Sequence, residues 1–494
     1  MTHHPIVIVG TGFSGLGMAI RLKQEGRDDF VLLERAGDIG GTWRDNTYPG
    51  CRCDVPSHLY SFSFAPNPDW SATFSPQPEI LDYLRDCAER YGVLPHVRFD
   101  HELRGADWDD DEALWRLDTS QGELTADILI AGQGPLSDPN VPDLPGLETF
   151  EGTSFHSAQW DHEHDLAGER VAVIGTGASA IQFVPEIQPE VDSLHVFQRT
   201  PPWVVPHHNR PMRGFEHALY RAFPAAQKAM RAAIYWARET LVLQFRRPRT
   251  GHLVERMALN HLREQVADPQ LREKLTPRYA IGCKRILPTD EWYPALVQPN
   301  VEVVTEAISE VRPHSIVLAD GSEREVDTII FGTGFHVTDI PIASMIRGRD
   351  GRTLADVWQG SPAAYKGTTV AGYPNLFFMV GPNTGLGHNS IVFMIESQIE
   401  YLADALRTMR RRGARTLEVR PEAQAAWGAR LERMTEGTVW VSGGCQSYYI
   451  DRNGHNSTLW PTFTWPFRRH LREFDEAAYT LTAAPVPEPL PAAA

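Results

Sequence analysis

Two short glycine-rich stretches, each lying between an apolar run and an amphipathic one, constrain this chain more than any other feature. The first is Gly10-Thr11-Gly12-Phe13-Ser14-Gly15, and the second is Gly175-Thr176-Gly177-Ala178-Ser179-Ala180. Residues 5–9 form a continuous apolar run of the kind found in parallel strands buried on both faces. Residues 15–25 then carry apolar side chains at helical spacing, and Phe30–Leu33 reads as a second strand ending at Glu34. A strand, a glycine turn, a helix and a strand make the opening unit of a doubly wound sheet. The pattern recurs with Arg170–Ile174 as strand, residues 178–187 as helix and Ser193–Phe197 as strand. The expected fold class is therefore α/β, with two Rossmann-like dinucleotide-binding domains.

Glycines at Gly10, Gly12 and Gly15 let the backbone approach a pyrophosphate, and the following helix offers free N–H groups and partial positive charge. Glu34 stands nineteen residues beyond Gly15, where an acid accepts both hydroxyls of an unphosphorylated ribose. FAD or NAD suits this half. At the second turn, with Gly175, Gly177 and Ser179, no acid follows the next strand. The chain reads Gln198-Arg199-Thr200, and an arginine there suits a 2′-phosphate. NADPH is expected in this half. A flavin and a nicotinamide in one enzyme allow electrons to pass between them.

Two more strands run into glycine, residues 126–131 and 326–331, and each is expected to return to its nucleotide. Prolines at Pro139, Pro142 and Pro145 mark a linker. The expected organisation is a first part of the FAD-binding domain at 1–140 and a first part of the NADP-binding domain at 150–211. A helical insertion follows at 212–275, the second NADP part at 276–340, and the second FAD part with substrate-pocket elements at 341–480. Within the last, Gly372-Tyr-Pro-Asn-Leu-Phe-Phe-Met-Val380 reads as a strand rejoining the first domain. The Pro/Ala-rich residues 481–494 read as a disordered tail.

The 494 residues are about three domains' worth. The net charge of −16, from 47 basic and 63 acidic residues, disfavours nucleic acid as a partner. Five cysteines show no zinc spacing, and no metal is expected. The one close pair, Cys51 and Cys53, reads as packed thiols of a reducing cytoplasm, where the protein is expected to reside. No uninterrupted apolar window reaches membrane-spanning length. Residues 232–245 are the most apolar helical stretch. Arg238 and Glu239 interrupt it, so it reads as a packed helix or tunnel wall rather than an anchor.

Between the turns runs Phe150-x-Gly152-x-x-x-His156-x-x-x-Trp160-Asp161. With that segment the chain resembles the class B flavoprotein monooxygenases, and specifically the type I Baeyer–Villiger monooxygenases. Further segments carry the likeness: Gly40-Gly41-Thr42-Trp43-Arg44, Tyr48-Pro49-Gly50-x-Arg52-x-Asp54-x-x-Ser57, Gln198-Arg199-Thr200-Pro201, Lys284-Arg285 and Gly381-Pro382-Asn383. The resemblance covers residues 1 to about 465.

The resemblance implies that NADPH reduces FAD, oxygen adds to give a C4a-peroxyflavin, and this attacks a ketone to yield an ester or lactone. It implies Arg285 as the catalytic arginine, with Asp54 as its orienting partner. Lys284 joins Arg199 and Thr200 at the 2′-phosphate, and Thr42 and Trp43 lie at the flavin site. Trp43 and Tyr60 read equally well as core. His156, with Phe150, Gly152, Trp160 and Asp161, is implied to act indirectly through domain arrangement. Many relatives have tryptophan where Tyr448 stands, so Tyr448 is expected to form the substrate wall with Trp460. Gln133 replaces the usual threonine of a strand-end motif. Alternatives are oxygenation of sulfur or nitrogen, or an uncoupled NADPH oxidase. The expected partners are a small-molecule ketone substrate and O2, on a monomer or homodimer.

Overall fold

The apolar run before the first turn forms strand Thr2–Val9, in which Ile6, Val7 and Ile8 are fully buried. The computed structural model describes residues 2–246 and 251–483. Thr2–Val9 pairs in parallel with Phe30–Leu33 (Val7 opposite Val31) and with Leu124–Ala131 (Val7 opposite Leu129). Across this eight-stranded sheet the order is Ile346–Arg347, Leu103–Asp109, Leu114–Thr119, Leu124–Ala131, Thr2–Val9, Phe30–Leu33 and Val97–Arg98. Leu376–Phe378 joins it beside Leu124–Ala131, so the chain does return to the first sheet. Helices Phe13–Gln24 and Ile391–Arg412 cover one face. They touch at Gly17, where a Cβ would lie 2.8 Å from both Ile399 and Phe62.

The second sheet has five parallel strands, in the order Val301–Val304, Ser193–Phe197, Arg170–Ile174, Thr328–Phe331 and Thr153–His156. Leu144, Leu147 and Phe150, from the proline-rich connection and just beyond it, pack onto its core with Val311 and Ile316. The two sheets meet where residues 48–57 touch helix Ala180–Ile187. Gln182 binds that loop three ways: its Oε1 accepts from Tyr48 Oη (3.0 Å) and Arg52 N (3.3 Å), and its Nε2 donates to Arg52 O (3.1 Å).

Five helices, Gly214–Ala222, Pro224–Glu239, Val242–Arg246, His252–Gln265 and Pro269–Lys274, lie between the segments of the second sheet. Pro224–Glu239 departs from the expectation for its apolar stretch. Trp236 is 58% exposed, whereas Gln227 and Glu239 are buried. The helix thus turns polar side chains inward, and the reason is local: each finds a partner inside, described below. At the carboxyl end, Tyr479–Ala483 pairs antiparallel with Ala414–Val419, with Tyr479 buried. Residues 481–483 of the expected tail therefore belong to a strand, because Leu481 continues the alternation that Tyr479 begins. Residues 484–494 lie outside the described residues.

Candidate active site

The first turn is built for close approach. Gly10 has φ +90°, and a Cβ on Gly15 would come within 1.9 Å of the Gly10 carbonyl oxygen. Around Gly12 there is room, with the nearest atoms to a Cβ 3.8 Å away, and no side chain caps the helix that starts there. Gly40 and Gly41 both have positive φ and lay the loop before Thr42 directly on Gly12. An open helix terminus under a glycine turn fits a pyrophosphate. Gln133, at the end of Leu124–Ala131, adds a buried amide oxygen without a partner beside Gly10. Trp43 donates to Tyr60 Oη at 3.1 Å, and Tyr60 packs edge-on against Phe13, which meets Phe62, so both aromatics belong to the core behind the turn.

Glu34, expected to accept the ribose hydroxyls, is already engaged within the protein. Its Oε2 accepts from Thr11 N (3.1 Å) and Thr11 Oγ1 (2.6 Å). Its Oε1 accepts from Ala36 N (3.0 Å) and meets Arg44 Nη1 (2.7 Å). All four acceptor positions of the carboxylate are used within the protein. The acid stands at the predicted place and there also braces the turn.

At the second turn Gly175 has φ +109°, and a Cβ would meet the Gly332 oxygen at 2.4 Å. Gly177 is exposed, and Ser179 stands at the uncapped start of helix Ala180–Ile187. Thr200 O accepts from Thr176 Oγ1 at 3.4 Å. Arg199 and Lys284, distant in sequence, come together here. Burial and then the Arg199 charge lower the Lys284 pKa, and the ammonium lies 5.4 Å from the Tyr279 ring. Among the described residues neither cation has a carboxylate partner. Two adjacent uncompensated cations suit a phosphate monoester.

Asp54 and Arg285 form a two-point fork, with Nε to Oδ2 at 2.8 Å and Nη2 to Oδ1 at 2.6 Å. Their side chains keep 20% and 32% of their surface, so the pair lines a cleft rather than the core. Burial raises the Asp54 pKa, and Arg285 overrides it to leave the carboxylate below its usual range. Asp54 in turn holds Arg285 protonated. Ser57 shapes the loop, donating to the carbonyls of Ala72 (2.8 Å) and Thr73 (2.9 Å).

Sequence reasoning passed over the residues on the far side of this pair. Arg238 Nε donates to His388 O at 3.0 Å, and its other four N–H groups have no protein partner among the described residues. Burial lowers its pKa, Asp54 raises it and Arg285 lowers it, which places a second guanidinium beside the fork. Glu239, 1% exposed, accepts from Asn389 Nδ2 (2.7 Å), Thr464 Oγ1 (2.8 Å) and Thr464 N (2.9 Å), with His388 Nε2 at 3.3 Å. The available signal was the placing of two charges in an otherwise apolar helix. Such charges are buried with partners or not at all.

Tyr448 and Tyr449 complete the cleft next to Arg285. Tyr448 is 47% exposed, and its hydroxyl lies 3.4 Å from that of buried Tyr449. Cys283 is bonded to Cys445, which fastens the Lys284-Arg285 loop to the segment that bears both tyrosines. The 162-residue separation hides this pairing from any spacing rule. Cys51 and Cys53 are free and buried, as expected. Trp460 is corrected. It is 1% exposed, stacks on Trp427 and donates Nε1 to Phe463 O at 2.7 Å, so it packs in the core instead of on the substrate side.

The fingerprint residues lie in and around the edge strand Thr153–His156 of the second sheet. A Cβ on Gly152 would strike Asp327 O at 2.2 Å and the Phe150 ring. His156 Nδ1 accepts from Ala158 N at 3.1 Å, and burial lowers its pKa to about 4. Trp160 packs between Phe155 and Phe183, and Asp161 Oδ1 accepts from Glu163 N at 3.0 Å.

The profile of the flavin-binding monooxygenase-like family matches residues 3–344. A protein of Streptomyces coelicolor named Baeyer-Villiger monooxygenase is 54% identical over 479 residues, which cover 97% of this chain and 92% of that protein. A crystal structure of cyclohexanone monooxygenase in its closed form superposes with a TM-score of 0.89 at 30% identity, covering 98% of this chain and all of that one. The NADP+-bound cyclohexanone monooxygenase of Rhodococcus sp. Phi1 superposes at 0.87 and 29% identity, over 98% of this chain and 100% of that one. Two glycine turns, each between parallel strands of its own sheet, agree with these likenesses along nearly the whole length, and the chain belongs to the flavin-binding monooxygenase-like family, among its Baeyer–Villiger monooxygenases.

Proposed function

We propose that this chain is an FAD-containing enzyme that uses NADPH and O2 to convert ketones into esters or lactones, releasing NADP+ and water. The Asp54–Arg285 fork, with Arg238 beside it, carries the reading. FAD, when bound, takes two electrons from NADPH and passes one atom of O2 to the ketone. Arg285 stays charged throughout the working pH range and favours an anionic oxygen nucleophile over its protonated, electrophilic form. Asp54 fixes the plane of that guanidinium. Tyr448, exposed on the cleft, suits the substrate wall.

Residues 1–140 and 341–480 are assigned to the FAD half, and 150–211 and 276–340 to the NADP half, with 212–275 as the insertion. Gly10, Gly12, Gly15, Thr42 and Glu34 serve the first nucleotide. Gly175, Gly177, Ser179, Arg199, Thr200 and Lys284 serve the second. The uncompensated Arg199–Lys284 pair supports NADPH over NADH. The need for NADPH supports a cytoplasmic setting, whereas the Cys283–Cys445 bond, of a kind rare in a reducing compartment, argues against it. No helix among the described residues is long and apolar enough to cross a membrane.

The test is stopped-flow spectroscopy of the yellow protein, reduced anaerobically by NADPH and mixed with oxygenated buffer. An oxygen-dependent transient that collapses faster with a ketone, with ester as product, is expected. Direct return to oxidised flavin, unaffected by ketone, refutes the reading. Faster turnover of a sulfide than of any ketone favours heteroatom oxygenation instead.

A further inference from the structure

The helices Gly214–Ala222 and Pro224–Glu239 present an apolar face to the outside. On the first, Phe215 (64% exposed) and Leu219 (41%) lie four residues apart on one helical stripe, and Phe223 (63%) follows at the turn that ends the helix. On the second, Met230 and Trp236 are 41% and 58% exposed, and Ala225, Ala229, Ala232, Ala233 and Ala237 lie open with them. The inner side of this helix sets Ile234 and Tyr235 against the core and holds polar groups beside them. Gln227 donates to Asn67 O (2.6 Å), Arg231 to His58 O (2.8 Å), and Arg238 and Glu239 reach the cleft. A helix in water buries its apolar stripe, so the second stripe left exposed here is matched to an apolar neighbour.

Charge identifies the neighbour. Between residues 213 and 246 the exposed charged side chains are Arg213, Arg221, Lys228 and Arg246, all basic. Arg221 meets Asp69 at 2.7 Å, whereas Lys228 has no carboxylate partner among the described residues. The two acids of the stretch, Glu216 and Glu239, are buried. This occurs on a chain of net charge −16. A symmetric dimer through this face would set cations against cations, which disfavours a second copy. Exposed aromatics framed by arginine and lysine match the interfacial layer of an anionic bilayer.

We propose that the Gly214–Ala222 and Pro224–Glu239 face docks the enzyme onto anionic lipid, with both helices lying in the plane of the interface. Phe215, Phe223 and Trp236 enter the acyl boundary, and Arg213, Lys228 and Arg246 meet the phosphates. The carboxyl end of the same docking helix carries Arg238 to the fork. An apolar substrate dissolved in the bilayer is thereby held next to the helix that lines the cleft. The docking does not depend on which substrate is oxidised.

The test uses the FAD-loaded protein and vesicles of phosphatidylcholine with and without phosphatidylglycerol, in a flotation assay that needs no turnover. Binding to the anionic vesicles, a blue shift of tryptophan emission, and release by salt are expected. Joint replacement Phe215→Ser, Phe223→Ser and Trp236→Ser should weaken binding at least about tenfold, since three large apolar side chains leave the lipid. Lys228→Glu with Arg213→Glu should abolish the preference for anionic lipid. Both variants should keep bound flavin and the parental NADPH oxidation rate without lipid. Equal binding to both vesicle types, or no binding, overturns the proposal. So does a lipid-free dimer that the triple variant converts to monomer, which would assign the face to a second copy. A soluble acidic protein that captures the parent while anionic vesicles fail to bind overturns it as well.

Discussion

At the scale of single residues, the fork and its second guanidinium have separable roles. Arg285→Ala leaves Asp54 without its fork partner in the cleft. Flavin reduction by NADPH should stay within about threefold of the parent, while ester formation falls by about a thousandfold or more, in line with loss of a positioned charge. Rapid-reaction kinetics and product analysis check both, and ester formed at near the parental rate refutes the role of Arg285. Arg238→Met removes the cation whose charge is not answered by a carboxylate. Ester yield per NADPH should fall about tenfold, and Arg238→Lys should recover part of it. Unchanged coupling in the methionine variant refutes a role for Arg238 in the chemistry. Asp54 and Arg285 were legible because they stand in short, ordered segments. Arg238 was not. Its meaning depends on His388 O and Asp54, 150 and 184 residues away, and no local pattern encodes such a meeting.

At the scale of elements, the strands beside the glycine turns were the most legible features. Phe30–Leu33, Arg170–Ile174 and Ser193–Phe197 fall where their apolar runs lie, since a strand buried on both faces has few other ways to satisfy such a run. The helix Pro224–Glu239 misled for the opposite reason. Met230 and Trp236 point outward while Ile234 and Tyr235 pack inward, and periodicity alone carries no sign of inside or outside. The join between the two sheets was also hidden, because much of its hydrogen bonding converges on one glutamine far from residues 48 and 52 in sequence. Gln182→Leu removes three hydrogen bonds to residues 48 and 52 and leaves the Arg52 groups to find water. A stability loss of about 1–3 kcal/mol is expected in denaturant titration, with a larger fraction of NADPH consumed without product. A variant as stable and as well coupled as the parent refutes the tether. The Cys283–Cys445 bond holds the arginine loop against the tyrosine segment. Cys283→Ser should lower stability by about 2–5 kcal/mol and raise the KM for bulky ketones more than it lowers kcat. Parental thermal stability in that variant refutes the bond's contribution.

For the molecule as a whole, acid stability follows from buried imidazoles. Burial lowers His58 and His156 to about 4, and both are under a tenth exposed. Between about pH 6.5, where they titrate in the unfolded chain, and pH 4, unfolding takes up protons that the native state does not bind. Stability therefore falls as pH falls through this window, by up to roughly 3 kcal/mol for each histidine. Urea midpoints measured from pH 7 to pH 4 should show the loss, and His58→Gln should flatten the slope. A slope unchanged by that substitution refutes His58 as a source. The disulfide closes a covalent ring that contains the crossing from Phe331 in the second sheet to Leu376 in the first. A protease that cuts once between those residues leaves two pieces that cannot diffuse apart. On a gel the nicked protein should run as one band without reductant and as two with it, so that the cut is silent until a thiol reveals it.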